Sequence, residues 1–297
     1  MNLETLHQCS VCHSSSISDY LNCTDHFVSG EAFSLCKCDE CGFVFTNPRP
    51  ALSDIAPYYE SDEYVSHSKT SAGLINRLFH LSRYYTLSHK KRILRRFSKG
   101  NKLLDYGCGT GDFLEIMRRS GWNCFGIEPN SQAREKANQK KGLKITDETE
   151  LSSYEGETFH SISMWHVLEH VYPLEERLKT FHHILKEEGM LFVAVPNMLS
   201  FDAQKYGRYW AAWDVPRHVH HFSPSSIKQL FENSGFEYVN SKPLLLDAFY
   251  ISMLSEKYKH GKSNVFQAGI NGLRSNLKAY FGNRNYSSLI YIFKKSD

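Results

Sequence analysis

The sequence predicts an α/β fold: a doubly wound sheet with helices on both faces, preceded by a small cysteine-rich segment. Two observations lead to this prediction. From Asn101 onward, short apolar runs alternate with amphipathic stretches, as is typical of parallel strands joined by covering helices. Six of the eight cysteines lie in the first 50 residues, and "NPRP" at 47–50 ends that segment.

Composition allows an ordinary folded core. The chain has 297 residues, 41% of them hydrophobic, and a net charge of +3, which suits one large domain or two smaller ones. The stretch "MNLETLHQCSVC" has no apolar signal region, and the longest apolar runs are too short to span a bilayer. Cysteines without an export signal favour thiols or metal over disulfides, so we expect a reducing, cytoplasmic location. The weak positive charge neither supports nor excludes nucleic acid as a partner.

The cysteine spacing predicts a metal site. Two C-x-x-C pairs, at Cys9, Cys12, Cys38 and Cys41, have the spacing of a tetrahedral zinc site. The gap between the pairs is longer than usual, which leaves Cys23 and Cys36 as alternative ligands. Four thiolates leave no open coordination position, so we predict one structural zinc on the two C-x-x-C pairs.

The elements of the sheet domain follow from the apolar pattern. Strands are predicted over 102–106, 124–128, 143–146, 159–165 and 190–195, with helices over 111–120, 131–141 and 174–188 between them. A helix over 222–235 has Ser223 as its N-cap, Pro224 at its first position and Gly235 at its end. A strand over 236–246, helical patterns over 247–282 and a final strand over 287–295 complete the chain.

These patterns divide the chain into three parts. Residues 1–50 form the cysteine-rich segment, and 51–98 form a helical linker or cap. Residues 99–297 form the sheet domain, with a helical insertion at about 247–282 that lines a substrate pocket or a dimer surface.

A glycine turn follows the first strand of the sheet. It reads Asp105-Tyr-Gly107-Cys-Gly109-Thr-Gly111, which is neither the G-x-G-x-x-G dinucleotide fingerprint nor a P-loop. An acidic residue at this position would repel a pyrophosphate, but it would pair with an ammonium group. Glu128, at the end of the next strand, is placed to accept hydrogen bonds from ribose hydroxyls. An amine and a ribose together indicate S-adenosylmethionine (SAM).

Four segments carry a family resemblance. "LLDYGCGTGDF", "GIEPN", "MWHVLEHV" and "LKEEGMLFVAVPN" resemble, in order, the first four motifs of class I SAM-dependent methyltransferases over residues 101–197. The resemblance implies a Rossmann-like, seven-stranded sheet with an antiparallel last strand. It also implies SAM contacts from Asp105, Gly107, Gly109, Gly111, Glu128 and Pro129. "CDECGFVFTNPRP" resembles the zinc-ribbon leader of bacterial methyltransferases, including sugar C-methyltransferases, so we expect a carbohydrate or nucleotide-sugar acceptor.

Three histidines are candidates for catalysis. The acceptor should lie between the first and fourth strands, where strand order reverses, and His166 follows the fourth strand. His170 starts the next helix, where a structural role is the more common one. His218 lies where sugar C-methyltransferases carry a Tyr-His-Glu-His motif. Here that motif reads Val-Pro-Arg-His over 215–218, and the missing Tyr and Glu argue against the same chemistry.

The segment around His166 raises the question of a divalent metal. Ubiquinone O-methyltransferases and small-RNA 2′-O-methyltransferases carry E-x-x-E-H there and bind a metal with it. This chain has His166-Val-Leu-Glu169-His170, which could hold a metal together with His218 or His220. Because such a motif is more often metal-free, we expect no metal here, although the sequence does not decide.

Acceptor contacts and partners are predicted less directly. The loop "KYGRYWAAWDVPRH" offers Tyr206, Tyr209, Trp210 and Trp213 as a stacking wall for a flat acceptor, or else as a packed loop. The basic stretch "HKKRILRRFSKGNK" is expected to be a solvated helix face, with contact to an anionic substrate or a membrane surface as the alternatives. An RNA-directed or nucleic-acid-binding protein and a NAD-linked oxidoreductase remain alternatives. The acceptor, the atom methylated and a homodimer stay open.

Overall fold

The computed structural model describes residues 2–59 and 74–296. Part of the predicted linker, residues 60–73, lies outside the described residues. The strands are β1 (Leu3–Glu4), β2 (Ile17–Thr24), β3 (Ala32–Cys38), β4 (Val44–Thr46), β5 (Arg49–Pro50), β6 (Lys102–Tyr106), β7 (Asn123–Ile127), β8 (Ile145–Thr146), β9 (Phe159–Trp165), β10 (Leu185–Pro196), β11 (His220–His221), β12 (Phe236–Pro243) and β13 (Ser288–Lys295). The α-helices are α1 (Leu74–Phe97), α2 (Asp112–Arg119), α3 (Ser131–Asn138), α4 (Leu174–Ile184), α5 (Phe201–Tyr206), α6 (Pro224–Glu232), α7 (Asp247–His260) and α8 (Val265–Phe281).

The central sheet has seven strands in the order β12-β13-β10-β9-β6-β7-β8. Strands β6 to β10 pair in parallel, and β13 runs antiparallel to both β10 and β12. The predicted α/β class, the seven strands and the antiparallel last strand are confirmed. Because helices cover both faces, the central strands are almost continuously apolar. In β10, Leu191 and Val193 join one core cluster, whereas Phe192 and Ala194 join the cluster on the opposite face.

The C-terminal part follows the predicted order of elements. Helix α6 has Ser223 as its N-cap, with Ser226 completing a reciprocal capping box and Pro224 at the first position. Gly235 adopts a left-handed φ of +81° in the turn just before β12. Helices α7 and α8 then form the insertion between β12 and β13.

The cysteine-rich leader is joined to the sheet domain by backbone pairing. Strands β2, β3 and β4 form an antiparallel sheet whose fourth strand is β11, with His220 opposite Phe45 and His221 opposite Val44. The leader therefore shares a sheet with the segment that carries His218, about 170 residues later in the chain. Among the described residues, no helix is both long and apolar enough to cross a membrane.

Candidate cofactor and acceptor site

The glycine turn lies at the carboxyl end of β6. Gly107, Gly109 and Gly111 have φ values of +70°, +54° and +72°, which side chains rarely adopt. At Gly107 a Cβ atom would also meet Val167 at 2.5 Å. The backbone N–H groups of Gly107 and Cys108 donate to the carbonyl of Ile127, so the turn is tied to β7. These constraints explain why glycine recurs at every second position.

Asp105, the last acidic residue before the turn, is buried. Its Oδ1 accepts a 2.6 Å hydrogen bond from the hydroxyl of Ser163, and burial raises its pKa to about 7. The ammonium of Lys90, on α1, lies 4.7 Å from the centre of the Trp165 ring and contributes a positive charge near Asp105. Lys90 belongs to the basic stretch for which the sequence favours a solvated helix face, with contact to an anionic substrate as one alternative. Burial lowers the pKa of this lysine, although the carboxylates of Asp247 and Asp105 oppose that change.

Glu128 lies just beyond β7 and faces the same turn. Its Oε2 accepts a 2.7 Å hydrogen bond from the N–H of Gly109, and its Oε1 accepts one of 2.9 Å from the N–H of Asn130. Arg134 donates to the backbone carbonyls of Glu128 and Pro129, which fixes this corner. Burial raises the pKa of Glu128 above its usual value. The carboxylate is thus anchored next to the turn, where its remaining lone pairs can accept further hydrogen bonds.

His166 lies at the end of β9 and contacts the helical insertion. Its Nε2 lies 2.9 Å from Oδ2 of Asp247, the first residue of α7, and its Nδ1 lies 3.4 Å from Oε1 of Glu169. Burial would lower its pKa, but these two carboxylates outweigh that effect and raise it to about 9. With each ring nitrogen facing a carboxylate, His166 is held as a donor in this structure. That arrangement does not suit the general base that the sequence suggested.

Glu169, His170 and His218 form a cluster in which one ligand atom of each lies within 4.8 Å of the others. Nδ1 of His170 donates to the carbonyl of Arg217 at 2.9 Å, and Nδ1 of His218 donates to the carbonyl of Ala212 at 2.8 Å. Because carbonyls only accept, these contacts leave the Nε2 atoms of both imidazoles as acceptors. The Glu169 carboxylate is 1% exposed and faces the His166 imidazole, with 3.4 Å between Oε1 and Nδ1, but neither of its oxygens accepts a hydrogen bond of normal geometry.

His220, the alternative partner for such a cluster, is engaged elsewhere. Its Nε2 donates to the carbonyl of Val171 at 2.9 Å, and its ring stacks on Phe43 of the leader. His220 is not part of the cluster of Glu169, His170 and His218. The cluster therefore combines Glu169 and His170, which end the H-x-x-E-H segment, with His218, which lies 48 residues after His170.

The aromatic loop does not form a stacking wall in this structure. Tyr206, Trp210 and Trp213 are all at least 96% buried, and Tyr209 alone is partly exposed. The Tyr206 hydroxyl donates to Glu256, and the Trp210 indole N–H donates to Asp202. These rings are packed against the core, which matches the packed-loop alternative.

The four cysteines of the two C-x-x-C pairs meet in the leader. The Sγ atoms of Cys9 and Cys41 are 3.5 Å apart, as are those of Cys12 and Cys38, and all four lie within 4.8 Å of one another. Zn–S bonds of about 2.3 Å in a tetrahedron require sulfur atoms roughly 3.8 Å apart, so this arrangement fits zinc. Cys23 and Cys36 lie outside this group and pack in the core of the leader.

Comparison with known proteins identifies the family. A family model described as a methyltransferase domain matches residues 79–241, which is more than half of the chain. The chain belongs to the class I SAM-dependent methyltransferases. The matched region of this methyltransferase includes every predicted SAM contact and all three candidate histidines. Asp247 and the four zinc-ribbon cysteines lie outside it.

Curated relatives of this methyltransferase include O-methyltransferases. It is 27% identical over 166 residues to the human mitochondrial ubiquinone biosynthesis O-methyltransferase, covering 50% of this chain and 45% of that protein. It is 28% identical over 163 residues to the ubiquinone biosynthesis O-methyltransferase of Dinoroseobacter shibae, covering 50% of this chain and 65% of that protein. The alignments therefore span less than two thirds of either relative.

Solved structures show the same fold. One similar structure is a chain in the complex between the Haloferax volcanii Trm112 methyltransferase activator and the putative methyltransferase. Its TM-score is 0.52 at 13% identity, covering 72% of this chain and 91% of that one. The [4+2]-cyclase SpnF has a TM-score of 0.50 at 14% identity, covering 71% of this chain and 80% of that one. Because a cyclase shares the fold, the fold alone does not fix the reaction.

Proposed function

We propose that this methyltransferase transfers the methyl group of SAM to a hydroxyl oxygen of a small molecule, beside a divalent cation. The observation that carries the proposal is the cluster of buried Glu169 with half-buried His170 and His218 near the carboxyl end of β9. Its two imidazole acceptors and one carboxylate, which faces His166 but accepts no hydrogen bond of normal geometry, form a mixed nitrogen and oxygen set that suits first-row divalent ions. Methylation at oxygen is favoured by the relatives, which are named O-methyltransferases.

The cofactor is proposed to lie over the glycine turn. Asp105 would accept from the ammonium group of SAM, and Glu128, with Pro129 beside it, would accept from the ribose hydroxyls. Lys90 would pair with the carboxylate of SAM, because its ammonium faces the same end of β6 and β9. Gly107, Gly109 and Gly111 would let the backbone approach the ligand closely.

The chain's own residues would prepare the acceptor side of the reaction. A bound cation would make a coordinated hydroxyl more acidic. The carbonyls of Arg217 and Ala212 hold His170 and His218 in the tautomer that offers Nε2. His166, held by Asp247, would keep the Glu169 carboxylate turned toward the two imidazoles. In-line transfer then depends mainly on how the acceptor oxygen is positioned near the methyl group.

The acceptor class is proposed from two resemblances. The zinc-ribbon leader favours a carbohydrate or nucleotide sugar, since similar leaders occur on sugar methyltransferases. The names of the curated relatives, which are O-methyltransferases of ubiquinone biosynthesis, favour a hydroxyl on a ubiquinone-related small molecule instead. Both classes offer oxygen atoms that can ligate a divalent cation.

The leader is proposed to hold one structural zinc on Cys9, Cys12, Cys38 and Cys41. Its sheet includes β11, which follows His218 by a single residue. The zinc would therefore stabilise the scaffold on which one wall of the acceptor site is built.

The test is release of S-adenosylhomocysteine, measured with panels of nucleotide sugars, catechol-type phenols and RNA. We expect turnover with one small-molecule class, lost after EDTA treatment and restored by a first-row divalent ion such as Mn²⁺. Glu169→Gln should lower turnover on the order of 100-fold or more at any cation concentration. The matched control Glu155→Gln changes an exposed carboxylate and should behave like the parent.

Two results would contradict separate parts of the proposal. Full turnover after EDTA treatment would remove the cation. Titration calorimetry in which SAM gives no heat and S-adenosylhomocysteine does not compete would remove the cofactor site itself.

A further inference from the structure

Helix α8 presents large apolar side chains to solvent. Phe266, Leu273, Leu277 and Phe281 are 79%, 52%, 45% and 80% exposed. Their spacing of seven, four and four residues places them along one side of the helix, which we call the apolar stripe. Tyr280, also exposed, lies beside the stripe. Single exposed apolar residues are ordinary, but a continuous row of them is not.

The opposite side of α8, which faces the core, is made of small and polar residues. They are Ala268, Asn271, Gly272, Ser275 and Ala279. A Cβ atom at Gly272 would meet Phe249 of α7 at 2.7 Å, so the two helices approach closely there. The side chain of Asn271 donates to the Tyr206 hydroxyl at 2.7 Å, and Ser275 donates to Asp202 at 2.6 Å. These buried hydrogen bonds fix the rotation of α8, so the apolar stripe stays outward.

The charged side chains near the apolar stripe are basic. Residues 257–293 contain no Asp or Glu, whereas their Lys and Arg residues are Lys257, Lys259, Lys262, Arg274, Lys278 and Arg284. Lys278 lies over the Phe201 ring at 4.2 Å and Arg284 over the Tyr280 ring at 5.1 Å, which places both near the stripe. Of the acidic residues on the neighbouring helices, Asp202 and Glu256 are buried, and Asp247 is paired with His166.

We propose that α8 docks on an anionic membrane surface, with the apolar stripe inserted at the level of the headgroups and the basic residues facing lipid phosphates. Exposed aromatic and aliphatic residues flanked by Lys and Arg are the features of helices that lie in this interface. A two-fold contact with a second copy would instead bring the same basic set against itself. The insertion also supplies Asp247 to the His166 site, so docking holds one wall of that site close to the bilayer.

Vesicle co-sedimentation of the full chain tests this inference, and it does not depend on the identity of the acceptor. The probes are phosphatidylcholine vesicles with and without phosphatidylglycerol. We expect binding only to the anionic vesicles, and weaker binding as salt increases. Phe266→Ser with Leu277→Ser should weaken binding roughly tenfold or more through lost apolar burial. Arg274→Gln with Lys278→Gln should weaken it roughly 30-fold, at about 1 kcal/mol for each charge.

The control is Leu52→Ser, which removes a 61% exposed leucine just after the leader and should leave vesicle binding unchanged. Circular dichroism and SAM titration verify that each variant is folded. Equal binding by parent and stripe variants, or no binding to anionic vesicles at low salt, would overturn the inference. Sedimentation equilibrium adds a further arm: a parent dimer that the stripe substitutions convert to monomer would assign the stripe to a second copy instead.

Discussion

Arg217 should be one of the most important single residues for the stability of this protein. Its guanidinium is 1% exposed and donates to Asp25 at 2.9 Å, to Asp214 at 2.6 and 3.0 Å, and to the carbonyl of Tyr58 at 2.9 Å. Asp25 and Tyr58 belong to the N-terminal part of the chain, whereas Asp214 and Arg217 belong to the loop before His218. Arg217→Met would leave the fully buried Asp25 carboxylate without its counter-charge.

The expected loss is about 3–5 kcal/mol of unfolding free energy, the range for removing one partner of a buried ion pair. Denaturant titration followed by tryptophan fluorescence measures it. The matched control is Arg119→Met, because Arg119 is 70% exposed and pairs with Glu115 four residues away, an arrangement worth about 0.5 kcal/mol or less. Adding Asp25→Asn to Arg217→Met should recover part of the loss, since it removes the stranded charge.

The contribution of the Asp25–Arg217 ion pair to the free energy of unfolding should change with pH in a defined direction. Burial would raise the pKa of Asp25, but the hydrogen bonds and charge of Arg217 outweigh burial and lower it. The pair therefore stabilises the fold above the ordinary carboxyl pKa, and this contribution is lost as pH falls below it. The difference between parent and Arg217→Met should narrow in acid. A loss below about 1 kcal/mol at neutral pH, or a difference that widens in acid, would refute this reasoning.

Three further predictions concern the cofactor turn, the acceptor side and the leader. Glu128→Ala should weaken SAM binding roughly 10- to 150-fold in calorimetry. His166→Ala and His218→Ala should instead mainly lower turnover. Histidine variants that lose only SAM affinity would contradict our placement of the acceptor. Gly107→Ala, which forces a Cβ atom to 2.5 Å from Val167, should abolish measurable SAM binding, whereas Gly121→Ala, with open space around its Cβ, should retain it. Elemental analysis should find one zinc per chain and none in Cys38→Ser, which should also melt at a lower temperature; a metal-free parent that folds normally would defeat the zinc assignment.

The fold and the cofactor turn could be predicted because they depend on local patterns. Strand β9 was predicted over the same residues that the structure shows, 159–165, and the glycine turn directly follows β6. The segment "LKEE" at 185–188 differs from the prediction, because its amphipathic pattern predicts the end of a helix. In the structure it begins β10, because Leu185 pairs with Phe159 of β9 and tertiary pairing overrides helix propensity.

The acceptor side was less accessible from sequence, because its contacts are long-range. Glu169 and His218 are distant in the chain, and only the folded structure shows that the buried Glu169 carboxylate lies beside both His218 and His166. The sequence leaves Trp210 open between a stacking wall and a packed loop, because its buried partner Asp202 gives no local signal. The sequence gives no signal for Asp247 either, since it reaches the site from a helix outside the recognised motifs.

The most direct test of the proposed reaction is the position of the transferred methyl group. The protein would be incubated with SAM carrying a ¹³C-labelled methyl group and the acceptor found in the screen, and the product examined by ¹³C NMR and mass spectrometry. We predict a single labelled methyl bonded to oxygen, formed only when a divalent cation is present and Glu169 is intact. A labelled methyl on carbon or nitrogen, or an O-methyl product formed equally well by Glu169→Gln in EDTA, would contradict cation-assisted O-methylation.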